Sequence, residues 1–526
     1  MHSVEVFELV IAMLLAIIVL HYAAHRLGLP PAVALLIGGS ALAFLPGVPV
    51  VSIDPELVLV VFLPPLLMDG AWFTAISPFR RHLVGILSLA IGAVIFTTAV
   101  VAIVAHWLMP WLPWAACAAL GAIVSPPDAV SARAVLQRVH LPRRLMTLLE
   151  GESLLNDATG LVLFRFAVAA ALTGVFDAGE AVTSFALLAI GGVLVGGAMG
   201  ALWVLLVRRL GEDDLVIATS VLLGWAAYLA GEGLHVSGVF ATVTAGLVGG
   251  WYQHVVFTAR MRIRANSFWT VMIFLFEASV FILIGFSLRG VLDRVGGWDR
   301  VVDQMAWPAL AIVLAATVAR FVWVFGSDVV ILAAQRLGMT SKAPLGPRCS
   351  AVISWAGMRG VVTLAVALSL PEAMPGRDFM LVTAFAIILV TVVLQGMTLG
   401  RVIGLLKIRD GDPAPRLSLS HAEAAVVQAQ LKVVEKLAFD PDGKLIHPQL
   451  LDTYRRRAVI MAEYPGREAE HAPRLHAHFD VVFAAIAAGR AELVRLHRAA
   501  EIDDTTLHEL ERDLDLEELS AIAATS

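Results

Sequence analysis

Charge is scarce in this chain: Asp, Glu, Lys and Arg make up 15% of its 526 residues, against 59% hydrophobic residues and a mean hydropathy of +0.82. A water-solvated domain of this length needs a far more charged surface, so most of the chain is expected to be solvated by lipid. Cysteine is rarer still. Cys117 and Cys349 lie far apart within apolar stretches, which argues against a disulfide or a metal site and for two small core residues. Lys and Arg are missing from the first eight residues, where Glu5 and Glu8 stand instead. That is not the basic start of a cleavable signal peptide, and the first helix is expected to remain. No basic patch stands clear of the membrane flanks, which argues against nucleic acid as a partner. The apolar stretches hold no HExxH motif or Ser/His pairing, so an intramembrane enzyme has little to build on, and no cofactor is expected.

What is present is a series of apolar stretches of about 18–28 residues, each long enough to cross a hydrocarbon core of about 30 Å. They fill residues 1–410. Residues 411–526 hold no such stretch and carry 20 Asp or Glu against 13 Lys or Arg, so the domain boundary is expected at that break. The hydrophobic pattern predicts thirteen transmembrane helices, beginning near Val4, Leu29, Pro55, Leu83, Trp114, Leu145, Ala181, Leu215, Leu234, Ser267, Trp307, Arg348 and Phe379. The fold class is therefore all-α: a polytopic membrane protein with a helical tail.

Loop charge supplies the orientation. Arg80 and Arg81, then Arg138, Arg143 and Arg144, then Arg208 and Arg209, then Arg260, Arg262 and Arg264, then Lys342 and Arg348 fall in alternate loops. The other loops are mostly bare, apart from Arg289, Arg294 and Arg300, which stand among Asp293, Asp299 and Asp303. The positive-inside rule places the rich set in the cytoplasm, the N-terminus outside the cell membrane and the tail inside.

Ionisable residues at mid-membrane cost at least about 2.5 kcal/mol each and mark function by default. The sixth helix carries Glu150-Gly151-Glu152-Ser153-Leu154-Leu155-Asn156-Asp157. Helical spacing stacks Ser153, Asn156 and Asp157 on one face, with Glu152 one turn before Asn156. No packing role calls for a carboxylate at Asp157, near the middle of its span. In the fifth helix, Ser125-Pro126-Pro127-Asp128 should break the helix at mid-membrane and place Asp128 at the start of a second half-helix. A plain proline kink with a capping Asp is the bland alternative. In the twelfth, Gly357-Met358-Arg359-Gly360 brackets a buried arginine with two glycines, where unwinding is cheap. Arg359 needs an acidic partner, and Glu152 or Glu150 is the natural one. Two interrupted helices point to a transporter of inverted repeats with its site at the midplane. A structural ion pair is the plainer reading of Glu277 and Arg320. Arg165, two turns beyond Asp157, could meet a lipid headgroup, line an outer vestibule or tune Asp157.

These motifs resemble the monovalent cation:proton antiporter family, in particular its bacterial NhaP-type branch, related to the eukaryotic sodium/proton exchangers. The resemblance spans residues 5–410. It rests first on Gly-Glu-Ser-Leu-Leu-Asn-Asp at 151–157, then on Phe62-Leu63-Pro64-Pro65-Leu66-Leu67 and on Gly357-Met358-Arg359-Gly360. Gly121-Ala122-Ile123-Val124 followed by Asp128 matches the fifth-helix signature less closely. The resemblance implies that Asp157 binds cation and proton in turn, Asn156 orients it, and Ser153 and Asp128 complete the shell around a transported Na⁺. It implies a buried ion pair of Glu152 with Arg359. The acidic residue after the third-helix prolines is Asp69 here, where the bacterial branch usually has Glu. The fifth-helix break lacks the family's Thr before the Asp. Ion selectivity is therefore open.

The implied function is exchange of Na⁺ or Li⁺ for H⁺ by a homodimer. Because the residue before Asp157 is neutral Asn156, whereas electrogenic relatives carry Asp there, the exchange is expected to be electroneutral, one for one. Burial favours a neutral carboxyl and nearby positive charge an ionised one, so a single group can be poised for H⁺ and Na⁺ to compete. K⁺/H⁺ exchange on the same scaffold is the alternative within transport; a tail-coupled membrane sensor that exchanges nothing is the alternative outside it. The tail holds 7 of the 15 histidines, which makes pH sensing a hypothesis, with a solvated helical packing domain as the plainer reading.

Overall fold

The computed structural model describes residues 3–46, 55–128, 141–175, 177–340, 343–408, 419–440, 442–463, 468–499 and 501–525. The chain divides into two compact units, Met1–Asp412 and Pro413–Ser526. Among the described residues the elements are all helices, with one isolated bridge between Phe439 and Leu445.

The first unit contains α1 (Ser3–Leu27), α2 (Pro31–Ala43), α3 (Pro55–Trp72), α4 (Ile76–Leu108), α5 (Trp114–Val124), α6 (Arg143–Thr173), α7 (Ala178–Val207) and α8 (Asp213–Gly233). It continues with α9 (Gly238–Val256), α10 (Ala259–Val295), α11 (Trp298–Arg336), α12 (Pro347–Trp355), α13 (Val361–Leu368) and α14 (Arg377–Leu406). Eight of these are long and apolar enough to cross a membrane by length and composition, against the thirteen crossings expected. Of the other five expected spans, α2 and α5 are short apolar helices, the twelfth is split into α12 and α13, and the third and ninth coincide with α3 and α9, of 18 and 19 residues. The expected second half of the fifth span, Arg138 and Lys342 lie outside the described residues.

Helix starts follow local chemistry. Asp177 accepts hydrogen bonds from the amides of Gly179 and Glu180 at the head of α7, Ser237 from Phe240 at α9, and Thr258 from Met261 at α10, each satisfying an orphan donor of the first turn. Helix α3 runs unbroken through Pro64 and Pro65. Pro64 cannot donate to the carbonyl of Val60, and the Trp225 indole of α8 donates to that oxygen instead, at 3.0 Å.

The helices pack in two groups. One comprises α1–α3 and α7–α10; the other comprises α4–α6 and α11–α14. Between the groups the contacts run chiefly through α3, α6 and α13. In the second unit α15 (Leu419–Leu437) packs on α16 (Pro448–Glu463), and α17 (Glu468–Arg498) on α18 (Asp504–Thr525). Arg490 joins the latter pair through Asp515 and Glu518.

Candidate cation site between two broken helices

Helix α5 stops at Val124, and the chain runs through Pro126 and Pro127 to Asp128 without helical bonds. Helix α12 stops at Trp355, and the chain is likewise unwound until α13 begins at Val361. The breaks meet. The Asp128 amide donates to the carbonyl of Met358 at 2.7 Å, and Asn156 Nδ2 of α6 donates to the carbonyl of Pro127 at 2.5 Å. Asn156 is fully buried, and its Oδ1 has no hydrogen-bond partner among the described residues.

Both glycines of the twelfth-span break are there for space. A Cβ on Gly360 would run into the carboxylate of Asp128, which lies against the N-terminus of α13, where negative charge is favoured. A Cβ on Gly357 would run into the side chain of Arg320. Arg359 answers the opposite need. Its Nε donates to the carbonyl of Val124 at 2.7 Å, and its Nη1 to that of Gly357. Its amide donates to Thr391 Oγ1 at 3.0 Å. The guanidinium therefore supplies positive charge and donors to the carbonyl ends of α5 and α12, which the breaks leave unsatisfied.

Because Arg359 is occupied in this way, the expected pair with Glu152 is not formed. Glu152 is held by Arg320 of α11, with Nη1 to Oε1 at 2.5 Å and Nη2 to Oε2 at 2.8 Å. Arg320 also donates to the carbonyl of Ile353 from Nε and Nη2, at 3.2 and 3.1 Å. This corrects the expected Glu277–Arg320 pair as well: Glu277 stands on α10, in the other helix group, while Arg320 packs with α6 and α12.

Asp128, Ser153 and Asp157 line one cavity of about 40 Å³, closed by Leu63, Leu66, Leu67 and Gly70 of α3 and by Val361 and Val362 of α13. That is room for about two or three water-sized groups. The cavity thus lies where the two helix groups face each other. Asp69 does not line it. It is buried on α3, one residue before Gly70, and successive helix residues point about 100° apart. Glu150, considered in the sequence only as a partner for Arg359, does line the cavity. It could have been found from its spacing, three residues before Ser153 and seven before Asp157, which repeats one helix face. The roles of Arg320 and Thr391 carried no local signal. Arg165 reaches Glu232, at the end of α8, at 3.3 Å.

A helical membrane protein whose unwound segments at 125–128 and 356–360 meet beside acidic side chains has an ion-transporter architecture. The comparisons with known proteins identify which. The chain belongs to the family described as sodium/hydrogen exchanger, transmembrane, which matches residues 10–404. An uncharacterized Na(+)/H(+) exchanger of Mycobacterium tuberculosis is 33% identical, with 98% of this chain and 96% of the relative covered. A sodium, potassium, lithium and rubidium/H(+) antiporter of Bacillus pumilus is 31% identical over 88% of this chain and 70% of the relative. The sodium proton antiporter MjNhaP1 of Methanocaldococcus jannaschii shares the fold, with a TM-score of 0.59 at 20% identity over 77% of this chain and 100% of that one.

Proposed function

We propose that this protein exchanges Na⁺ or Li⁺ for H⁺ across the cell membrane, one for one, with cation and proton alternating on Asp157. The observation that carries the reading is the cavity that joins Asp157, Ser153 and Asp128 at the meeting of the two breaks. Its polar groups are oxygens, the ligands hard cations take. Asp128 faces the N-terminus of α13, where a carboxylate is favoured. Asp157 is free to carry either ion, and with Asn156 neutral beside it, one Na⁺ or one H⁺ gives the same net charge. That equality makes the exchange electroneutral. The boundary between the two helix groups is the natural surface for the movement that exposes the site to alternate sides. Loop arginines support an N-terminus outside and a tail in the cytoplasm, where the tail acts as a regulatory unit, and the family likeness supports a homodimer. Exchange of K⁺ for H⁺ is the second reading, favoured by the range of cations named for the Bacillus pumilus relative.

The test is ΔpH-driven exchange in everted membrane vesicles on adding Na⁺, Li⁺ or K⁺, with wild type beside Asp157→Asn. Cation-induced proton release in wild type and none in the variant is expected, and the response to each ion ranks selectivity. A wild type silent to every cation between about pH 6 and 9 sinks the exchanger reading. A variant that still exchanges sinks the assignment of Asp157.

A further inference from the structure

Helix α6 ends at Thr173 and α7 begins at Ala178, and helices joined so closely usually pack side by side. Here they diverge: α7 packs on α9 and α8, while α6 packs on α5 and α4. Between the first turns of α7 and the faces of α4, α5 and α6 lies a cavity of about 770 Å³. Its walls run from Ile91 to Ala102 on α4 and from Thr159 to Ala170 on α6, with Trp114 of α5 and Phe185 of α7. Alanines such as Ala118 and Ala167 make the room, and a larger side chain at either would fill it. Among the described residues the lining is apolar apart from Thr98, Thr159 and the Trp114 indole at the rim. Both hydroxyls are engaged, Thr98 with Ser125 Oγ at 3.0 Å and Thr159 with the carbonyl of Leu155 at 3.2 Å. Water finds no partners in such a space, so the occupant is hydrocarbon. The dimensions say which. From Thr159 to Ala170 is about 16 Å of helix, and one leaflet's share of a hydrocarbon core of about 30 Å is about 15 Å. One end carries an interfacial belt: Trp107, Trp111 and Trp114 are exposed where α4 ends and α5 begins, and the His106 ring stacks on Trp114 with centroids 4.1 Å apart.

We propose that this cavity holds one acyl chain of a membrane phospholipid, drawn from the leaflet bordered by Trp111 and Trp114, with the headgroup at that belt. The inference goes beyond the exchange reading and does not depend on which ion is carried. The chain is set apart from the surrounding lipid because four helices bound it, α4–α6 of one helix group and α7 of the other. Its wall reaches Thr159, two residues from Asp157 on α6, and Thr98 of that wall holds Ser125, where the fifth-span break starts. The occupant therefore backs the side of α5 and α6 away from α3. A hydrocarbon chain deforms, so the gap can change shape as the helix groups move, whereas a protein side chain locked across it would join them.

The experiment reconstitutes the full chain into vesicles containing a phosphatidylethanolamine with a diazirine in mid-chain, irradiates them and maps the labelled residues by mass spectrometry. Label should concentrate on residues 91–102 and 159–170, above the level on the exposed face of α11 around Leu314 and Val318. Ala118→Phe and Ala167→Phe, which fill the cavity, should lose that label and keep the label around Leu314. Phe185→Ala, which widens the cavity, should retain both. Native mass spectrometry after detergent exchange should find a phospholipid adduct on wild type and on Phe185→Ala, and none on the filled variants. If both filled variants fail to elute as a single species on size exclusion, the label pattern of wild type decides by itself. Cavity label no denser than at Leu314, or label and adduct unchanged in a folded filled variant, overturns the proposal. So does a disulfide between two copies carrying Val182→Cys, which would seat a second chain on the cavity in place of lipid.

Discussion

Arg320 grips Glu152 through two parallel hydrogen bonds of 2.5 and 2.8 Å, with both side chains almost wholly removed from solvent. The same guanidinium donates to the carbonyl of Ile353, two residues before the end of α12. One side chain thus ties the helix that bears Asp157 to the helix that breaks beside it. The planar fork of an arginine fits this three-way arrangement, and a lysine would not.

Removing one partner of this pair leaves a charge buried without compensation, which costs about 3–5 kcal/mol. Glu152→Gln and Arg320→Met should each lower the melting temperature of the detergent-purified protein, and the double variant Glu152→Gln with Arg320→Met should lose less than the two single losses combined. Thermal unfolding followed by size-exclusion chromatography reads all three. Additive losses would show that the pair acts as two independent groups.

The glycines of the twelfth-span break can be tested by size alone. Gly360→Ala pushes a methyl group into the Asp128 carboxylate, and Gly357→Ala pushes one into Arg320. Gly404 of α14 has open space around it, so Gly404→Ala serves as the control. Exchange should fall at least about tenfold in Gly360→Ala, a loss on the scale of about 1.4 kcal/mol, and stay near wild type in Gly404→Ala at equal membrane abundance. Wild-type exchange in Gly360→Ala would mean that Asp128 can move away without harm.

Arg165 and Glu232 form an exposed ion pair between α6 and α8, which belong to different helix groups. Exposed pairs contribute about 0–1 kcal/mol, so Arg165→Ala should leave the melting temperature almost unchanged. If the groups move past each other during exchange, losing the pair should alter the exchange rate by no more than about fivefold. The swap Arg165→Glu with Glu232→Arg should return the rate toward wild type. A loss of folding in Arg165→Ala, or no rescue by the swap, would contradict this.

In the tail unit, the Arg495 guanidinium holds the Glu492 carboxyl below its ordinary range, and hydrogen bonds from Thr506 do the same for Asp503. A carboxylate whose pKa is depressed by folding stabilises the fold above its unfolded pKa, and that support is lost as pH falls through the folded value. These groups should leave the tail's helicity level from about pH 6 to 9 and weaken it only in acid, below about pH 4. Circular dichroism of residues 419–525 against pH measures this. A separate question is whether the tail senses pH through its histidines; deleting it without moving the pH profile of exchange would end that idea.

Much of the site could be read from the chain. Asp157, Ser153 and Asn156 share a face because helical spacing requires it, and a carboxylate at mid-span has no bland purpose. The prolines at 126 and 127 and the glycines at 357 and 360 marked both interruptions, since each residue type alters backbone options locally. Glu150 fell on the same face by the same arithmetic, yet only the packing of α3 and α13 around it shows that it shares the cavity. Asp69 shows the reverse: its sequence neighbourhood pointed to the site, and the rotation of α3 turned its neighbours to the cavity instead.

The sequence by itself determined the lipid-solvated helices, the polar tail, the carboxylate on α6 and the two breaks, because composition, periodicity and backbone chemistry act within a few residues. Only the tertiary structure decided the partners. Glu152 went to Arg320 and Arg359 to the carbonyls of Val124 and Gly357, although either arginine has the charge to pair with the glutamate. That choice depends on which buried acceptors lie within reach once the half-helices meet, and groups 168 or 235 residues apart in the chain meet only through the packing of the whole unit.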